Sequence, residues 1–134
     1  MNFQYLIKPF SENVCQQSTV NYLRTVYPSV LFTTGLLGIK LPAWAMWLLA
    51  ALGYKNGTPD VMIFEPRHGF HGLFIEMKRG RTEYIEAGKR VVMYPGKLSE
   101  DQTEVLARLN ALGYEAHVCY GFDQAKAVID AYFK

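Results

Sequence analysis

Two carboxylates and a lysine stand at the ends of two short apolar runs. Asp60 opens the run 61–64, and Glu76 and Lys78 follow the run 73–75. If the runs pair as an antiparallel hairpin with Asp60 opposite Glu76, the facing Cβ atoms lie about 4.5–5.5 Å apart. Strand alternation places Lys78 on the same face as Glu76. Side chains so arranged could hold a divalent cation and cut a phosphodiester bond.

Each of these groups has a chemical role in that interpretation. Hard cations such as Mg²⁺ or Mn²⁺ prefer oxygen ligands. Asp60 and Glu76 supply two of them, and the backbone carbonyl of Met77 could add a third. Lys78 would stabilise negative charge in the transition state as a positioned cation. The alternative is that Asp60 caps a turn and that Glu76 and Lys78 are exposed charges of an edge strand.

The hairpin that must position these residues is visible in the sequence. The runs 61–64 and 73–75 are β-rich and apolar on both faces, and the segment 65–72 is rich in turn residues. The register that pairs Asp60 with Glu76 also places Met62 opposite Phe74 and centres the turn on His68.

The remaining elements surround this hairpin. Ser11 can cap a helix that ends near Val26, and Ser99 can cap another that ends at Gly113. A strand is predicted at 30–34, a second at 114–120, a short edge strand at 90–94 and a terminal helix at 123–133. The predicted inward faces are Cys15, Thr19, Tyr22, Leu23 and Val26; Val105, Leu106, Leu109 and Leu112; and Ala125, Val128, Ile129, Tyr132 and Phe133. We therefore expect one domain over 1–134, an α/β fold with a central mixed sheet flanked by helices.

A further helix is predicted from Pro42, as its first residue, to Gly53, and it is apolar nearly all round. Such a helix should be buried on more than one side. Its tryptophans, Trp44 and Trp47, could lie in a subunit interface or in the core.

Composition limits the class of protein. Half of the 134 residues are apolar, which argues against disorder. Cys15 and Cys119 lack metal-ligand spacing and are expected to be reduced and buried. No signal peptide is visible, and the apolar stretch 41–54 is shorter than the ~20 residues of a membrane span. We expect a soluble, cytoplasmic protein, in the cytoplasm of the host if it is viral.

The formal net charge is only +2, but basic residues cluster after the candidate site. We interpret this cluster as facing DNA. The alternative is a solvated loop, whose positive charge Glu83 and Glu86 partly offset. Beyond Lys78, its members are Arg79, Arg81, Lys89, Arg90 and Lys97. The histidines lack the further ligands of a zinc site, and no phosphate-binding glycine loop indicates a nucleotide cofactor.

The ordered motifs resemble those of the virus-type replication-repair nuclease (VRR-NUC) family. Residues 52–60, LGYKNGTPD, are similar to its G-x-x-x-G-x-P-D, residues 75–78, IEMK, to its E-x-K, and residues 98–102, LSEDQ, to its L-S-x-x-Q helix. The segment 113–125 also fits the family's closing strand and helix. The family is one of the PD-(D/E)xK nucleases, so the resemblance implies a mixed sheet flanked by helices and a Mg²⁺- or Mn²⁺-dependent phosphodiesterase.

The resemblance also assigns residues. Asp60 and Glu76 match the metal carboxylates, Lys78 the catalytic lysine, Gln102 the helix glutamine, and Glu12 an acidic residue that can complete the metal site. Gln102 also fits a capping box with Ser99, and Glu12 could simply favour the positive end of its helix. The segment 79–97 is longer than the family's usual basic loop and could be a substrate-contacting hairpin or a dimer arm.

The function expected from these observations is a metal-dependent DNA endonuclease. Stand-alone viral members resemble dimeric resolvases of branched DNA, so the resemblance implies a homodimer that is selective for branched or four-way (Holliday) junctions in viral or phage replication and repair. One alternative is a catalytically weak nucleic-acid-binding module with the same fold. Another is an interaction protein built around the Trp44 and Trp47 helix.

Overall fold

The computed structural model describes residues 11–36 and 40–134. Their elements, in chain order, are α1 (Glu12–Val26), β1 (Phe32–Thr34), α2 (Ala43–Ala51), β2 (Val61–Ile63), β3 (Leu73–Lys78), β4 (Thr82–Glu86), β5 (Lys89–Met93), α3 (Glu100–Ala111), β6 (Glu115–Tyr120) and α4 (Phe122–Phe133). The predicted order is confirmed, with one addition: the segment 79–97 contains two strands where the sequence predicted one.

A mixed sheet joins four of the strands in the order β1-β2-β3-β6. β1 pairs antiparallel with β2, and β2 with β3. β6 runs parallel to β3, because the N–H groups of Glu115 and Gly121 donate to the carbonyls of Gly72 and Lys78 at the same sequence offset, both at 2.9 Å. The predicted α/β fold with a mixed central sheet is confirmed.

The chain divides into two compact units, and the first contains α1, the β4–β5 hairpin and α4. Its described residues are 11–30, 77–97 and 118–134. The first helix begins after Ser11, whose hydroxyl accepts from Val14 N–H, as predicted. Helices α1 and α4 pack against each other, and their buried side chains are Cys15, Thr19, Leu23, Ala125, Ile129 and Tyr132.

Four inward positions of the first unit are less buried than predicted, because Tyr22, Val128 and Phe133 are only partly buried and Val26 is exposed. Val26, at the last residue of α1, is 48% exposed, because the helix ends there and its final turn extends past the packed face. Phe133 is only partly buried and stacks on Tyr27, with ring centroids 4.7 Å apart. Next to this stack, the Asp130 carboxylate accepts hydrogen bonds from Tyr22 and Tyr27, at 2.5 and 2.7 Å.

The second unit contains β1, α2, β2, α3 and the starts of β3 and β6. Every residue of β3 is buried, and the side chains of Val61, Ile63, Leu73 and Ile75 are fully buried. The predicted burial of both strand faces is therefore confirmed for β3. In β2 it holds only for the face of Val61 and Ile63, because Met62 on the other face is partly buried. Phe64 lies beyond the end of β2 and is 46% exposed.

The third helix follows its prediction less completely. It is capped by Ser99 and is followed by Gly113, with a φ of 95°. Leu106 is its buried residue, and Val105 and Leu109 are partly buried. Leu112 is 64% exposed, because it lies at the cap position, where the helical periodicity no longer applies.

The short apolar helix α2 is the largest departure from the sequence prediction. None of its residues is buried: Trp44 is 70% exposed and Trp47 is 74% exposed, with Leu52 just after the helix at 75%. Burial among the described residues, 11–36 and 40–134, is therefore wrong for this helix. The helix begins at Ala43, one residue later than predicted, and Pro42 is its N-cap residue and not its first helical residue.

The segment after Lys78 forms a hairpin with a two-stranded sheet of its own, β4 paired with β5. Ala87 and Gly88 turn the chain with φ values of 51° and 75°, which is the backbone of a tight hairpin turn matched to strand twist. A hairpin was among the predicted forms of this segment, but its first strand was missed. The edge strand predicted at 90–94 is β5, which spans Lys89–Met93.

Both cysteines are free and buried, as expected. Burial raises the pKa of the Cys119 thiol to about 12, so it stays protonated and packs as a small apolar side chain. Within 11–36 and 40–134, the helices are too short or too polar for any of them to cross a lipid bilayer.

Candidate active site

The β2–β3 hairpin has the register that the two carboxylates require. Val61 faces Ile75 and Met62 faces Phe74, so the next pair along the ladder brings Asp60 opposite Glu76. Ligand oxygens of these two carboxylates lie within 4.8 Å of each other. One cation could contact both, since oxygen ligands of Mg²⁺ lie about 2.1 Å from the ion.

The main chain at Asp60 is fixed by the neighbouring strand. Its carbonyl accepts from Gly35 N–H at 2.9 Å, and Pro59 before it is buried. Glu76 lies in the buried strand β3 and is only 1% exposed. Asp60 directly precedes β2, whereas Glu76 lies inside β3, whose residues are all buried. The alternative of exposed edge-strand charges is therefore wrong for Glu76.

Gln102 connects the start of α3 to Glu76. Its side-chain oxygen accepts from the N–H of Ser99 at 2.9 Å, while the Ser99 hydroxyl accepts from Gln102 N–H at 3.1 Å. This is the reciprocal capping box expected from the sequence. The remaining amide nitrogen donates to Glu76 Oε1 at 2.8 Å. Capping the helix thus orients the amide nitrogen toward the carboxylate. The capping role of Gln102 and its predicted role in the site are therefore compatible.

Gly57 allows the loop before Asp60 to lie directly on the start of α3. Its φ is 87°, and a Cβ atom there would lie 2.4 Å from the carbonyl oxygen of Asp101. Only glycine fits both the left-handed backbone and that approach. Next to it, the hydroxyl of Thr58 donates to the Lys55 carbonyl at 2.6 Å and tightens the loop.

Tyr54 is a residue of the second unit that the sequence did not single out. Its hydroxyl is buried and, within the described segments, has no hydrogen-bond partner. Such a group costs about 1–3 kcal/mol when it stays unpaired. Burial raises the pKa of Tyr54, the nearby Thr58 hydroxyl lowers it, and the charges of Asp60 and Glu76 raise it further. The Thr58 hydroxyl nevertheless donates to the Lys55 carbonyl, and no well-aligned hydrogen bond joins it to the phenol. The phenol is therefore neutral near pH 7 and can act as a donor close to both carboxylates.

Lys78, Met77 and Glu12 belong to the first unit, and their predicted roles stay predictions. Lys78 is 7% exposed, and a Cβ atom at Gly96 would lie 3.3 Å from its Cδ, so the glycine makes room for the lysine stem. Met77 is fully buried, with Thr19 donating to its sulfur at 3.9 Å. Glu12 occupies the first turn of α1.

The basic residues after the site are largely engaged in the hairpin itself. Arg81 and Arg90 both bind Glu83 Oε1, at 2.7 and 2.6 Å, and they lower the pKa of that carboxyl, Arg90 more strongly. Arg79 donates from Nε to the Tyr94 carbonyl at 2.9 Å. Because the pairs with Glu83 are exposed, they are weak and could exchange for DNA phosphates.

The remaining two basic residues, Lys89 and Lys97, are exposed. Lys97 lines a shallow cleft of the first unit beside Gly80, Arg81 and Tyr120, with a volume of about 680 Å³. Ammonium groups at exposed positions suit the backbone contacts of DNA, which need no fixed geometry.

Known structures share this fold. A solved structure described as a "VRR_NUC domain protein" aligns with 91% of this chain and 87% of its own length, with a TM-score of 0.63 and 23% sequence identity. At that identity the likeness establishes the fold. No curated protein of known sequence matches the chain.

The mixed sheet, its paired carboxylates and the solved relative define a nuclease-type fold. The family model of the VRR-NUC domain matches residues 9–123, which is most of the chain. The chain belongs to the VRR-NUC domain family, and the family predicted from its motifs is confirmed.

Proposed function

We propose that this chain is a Mg²⁺- or Mn²⁺-dependent DNA endonuclease. The observation that carries the proposal is the pairing of Asp60, just before β2, with Glu76 inside the buried strand β3, with their oxygens within 4.8 Å of each other. The Gln102 amide holds Glu76 Oε1 at 2.8 Å. Hard oxygen donors from two carboxylates suit these cations better than softer metals.

Each residue of the proposed site has a distinct role. Asp60 and Glu76 would bind the ion, and the carbonyl of Met77 and the carboxylate of Glu12 would complete its ligands. The ion, when bound, would lower the pKa of a water molecule and offset charge on the phosphate. Lys78 would stabilise the additional negative charge of the transition state. Gln102 would keep Glu76 in one orientation.

DNA is the proposed substrate, held through its phosphates by the basic residues of the first unit. Their contacts would be independent of sequence and sensitive to salt, which suits an enzyme that selects branched or four-way-junction DNA by shape in viral or phage replication and repair. The proposed phosphate contacts come from Arg79, Arg81, Lys89, Arg90 and Lys97.

We further propose that the active form is a homodimer that covers α2. Trp44, Trp47, Leu48 and Leu52 have helical i, i+3, i+4 and i+8 spacing, and each is at least 42% exposed. An exposed apolar stripe of this kind marks protein interfaces. Sedimentation velocity should give a dimer for the wild type and a monomer for Trp47→Ser. A wild type that is monomeric at micromolar concentration contradicts this part of the proposal.

Cleavage assays test the activity directly. Linear duplex, flapped and four-way-junction DNA are incubated with Mg²⁺ or Mn²⁺ and with wild type, Asp60→Asn, Glu76→Gln or Lys78→Met. We expect each variant to lose at least about 100-fold in rate, as when a group that contacts the reacting atoms is removed. Chelation of the metal should stop cleavage, and added Mg²⁺ should restore it.

Asp123→Asn provides the matched control, because it makes the same change at an exposed carboxylate in the first turn of α4. It should cleave at the wild-type rate. Full activity in the Asp60 and Lys78 variants contradicts the assigned site. A wild type that binds these DNAs but cuts none of them would support the nucleic-acid-binding module instead.

A further inference from the structure

The position of Tyr54 is set by the end of α2. The N–H of Tyr54 donates to the Leu49 carbonyl at 2.8 Å and that of Gly53 to the Ala50 carbonyl at 3.1 Å, while Gly53 has a φ of 105°. These bonds form a Schellman motif, which ends the helix and fixes the following residue. The backbone that carries the phenol is therefore set before any ligand binds.

The loop from Tyr54 to Asp60 is anchored at its other end as well. Thr58 N–H donates to the Lys55 carbonyl at 3.2 Å, and the Asp60 carbonyl accepts from Gly35. Gly57 lies against the backbone of Asp101 between these points. Such a loop cannot easily move to give the phenol a new partner, so the partner must come to it.

The chemistry around the hydroxyl identifies that partner. The hydroxyl is buried, lacks a hydrogen-bond partner among residues 11–36 and 40–134, and lies close enough to Asp60 and Glu76 to feel their charge. A neutral phenol is a donor that needs an acceptor. Besides the carboxylate oxygens of Asp60 and Glu76 themselves, the acceptors at this place would be oxygen atoms that accompany a cation bound between the two carboxylates.

We propose that the Tyr54 hydroxyl donates a hydrogen bond to a water or phosphate oxygen held beside Asp60 and Glu76, and so positions that oxygen in the site. The proposal rests on the proposed function, since it needs a cation and its ligands at these carboxylates. Donors of this kind, just outside the ligands of a metal, typically change metal affinity or activity by about 10- to 100-fold.

Tyr54→Phe tests the proposal, because it removes the hydroxyl and keeps the ring. Calorimetry measures Mg²⁺ affinity without DNA, and fluorescence anisotropy measures binding of four-way-junction DNA in Ca²⁺, with gels to show that the DNA stays intact. If the oxygen belongs to water, Mg²⁺ binding weakens by about 10- to 100-fold. If it belongs to phosphate, Mg²⁺ binding is unchanged and DNA binding weakens by a similar factor.

Thermal unfolding separates this role from a structural one. Tyr54→Phe should be at least as stable as the wild type, because it removes a buried hydroxyl that makes no bond. Tyr94→Phe is the matched control for Mg²⁺ affinity and stability: the same change at a tyrosine that is 66% exposed should alter neither.

The outcomes distinguish the inference from the proposed function. Metal and DNA affinities of Tyr54→Phe within twofold of the wild type overturn the inference, as does a loss of stability that accounts for the weaker binding. If the wild type binds Mg²⁺ or DNA but does not cut DNA, the proposed activity is contradicted. In that case weaker binding by Tyr54→Phe still supports the inference. A wild type that binds neither overturns both.

Discussion

Replacing Gly57 with alanine tests how closely the site loop must approach α3. The new Cβ atom would lie 2.4 Å from the Asp101 oxygen, 2.5 Å from its carbonyl carbon and 2.9 Å from the nitrogen of Gln102. These are backbone atoms, which cannot rotate away, so the loop or the helix must move to restore at least 3.0 Å. The backbone φ of 87° also disfavours any L-residue.

The two costs can be added. A left-handed backbone costs an alanine roughly 1–2 kcal/mol, and forcing a methyl group into a packed site costs about 1–3 kcal/mol more. Gly57→Ala should therefore lower the free energy of unfolding by about 2–5 kcal/mol, measured by urea denaturation. The displacement also separates Gln102 from Glu76, so cleavage should fall by more than the loss of folded protein explains.

Gly88→Ala isolates the steric part of that cost. Gly88 has a φ of 75°, but a Cβ atom there would meet nothing within 4 Å. It should lose only the roughly 1–2 kcal/mol of the backbone conformation. If Gly57→Ala is no more destabilised than Gly88→Ala, the close approach of the loop to α3 does not exist in solution and the reasoning is refuted.

Two further changes examine the site and the packing of α1 on α4. Gln102→Glu keeps an acceptor for Ser99 N–H but replaces the donor to Glu76 with a negative charge beside a buried carboxylate. The free energy of unfolding should therefore fall, and the cleavage rate of the folded protein should fall by about 10- to 100-fold. Undiminished cleavage would show that the Glu76 hydrogen bond is dispensable. Asp130→Asn should lower the Tm by a few degrees near neutral pH, because Asp130 holds the pKa of Tyr22 at about 12 and its own pKa is lowered by the tyrosines. The raised phenol pKa contributes stability that is lost as pH rises from 10 toward 12, and the lowered carboxyl pKa contributes stability that is lost as pH falls below 3.8. Thermal melts across pH should therefore show the largest gap from wild type between about pH 5 and 9, and a gap that does not change with pH would contradict this assignment.

Local patterns in the sequence predicted most of the site. The antiparallel register followed from short apolar strands and a turn, because a slip of one residue would reverse every buried side chain. The capping box at Ser99 and Gln102 followed from residue types alone. Its bond to Glu76 could not be predicted, since the two residues lie 26 positions apart and meet only after α3 packs.

Periodicity was less informative where burial depends on distant partners. Helix α2 is apolar on nearly every side, yet Trp47 is 74% exposed, because no other element of the described chain covers it. Strand β4 was missed although its pairing is regular, with Glu83 opposite Val92. Its alternation of polar and apolar residues is typical of a half-exposed strand, and the Ala87–Gly88 turn was a further signal.

The sequence by itself determined the family, the order of the principal elements and the pair of carboxylates, because these depend on residue types at short spacing. Only the tertiary structure decided which groups converge on that pair. Gln102 reaches it from a capped helix, Gly57 lets the site loop lie against that helix, and Tyr54 at a helix end lies within the electrostatic influence of both carboxylates. Their meeting depends on how those segments pack, which no local pattern encodes.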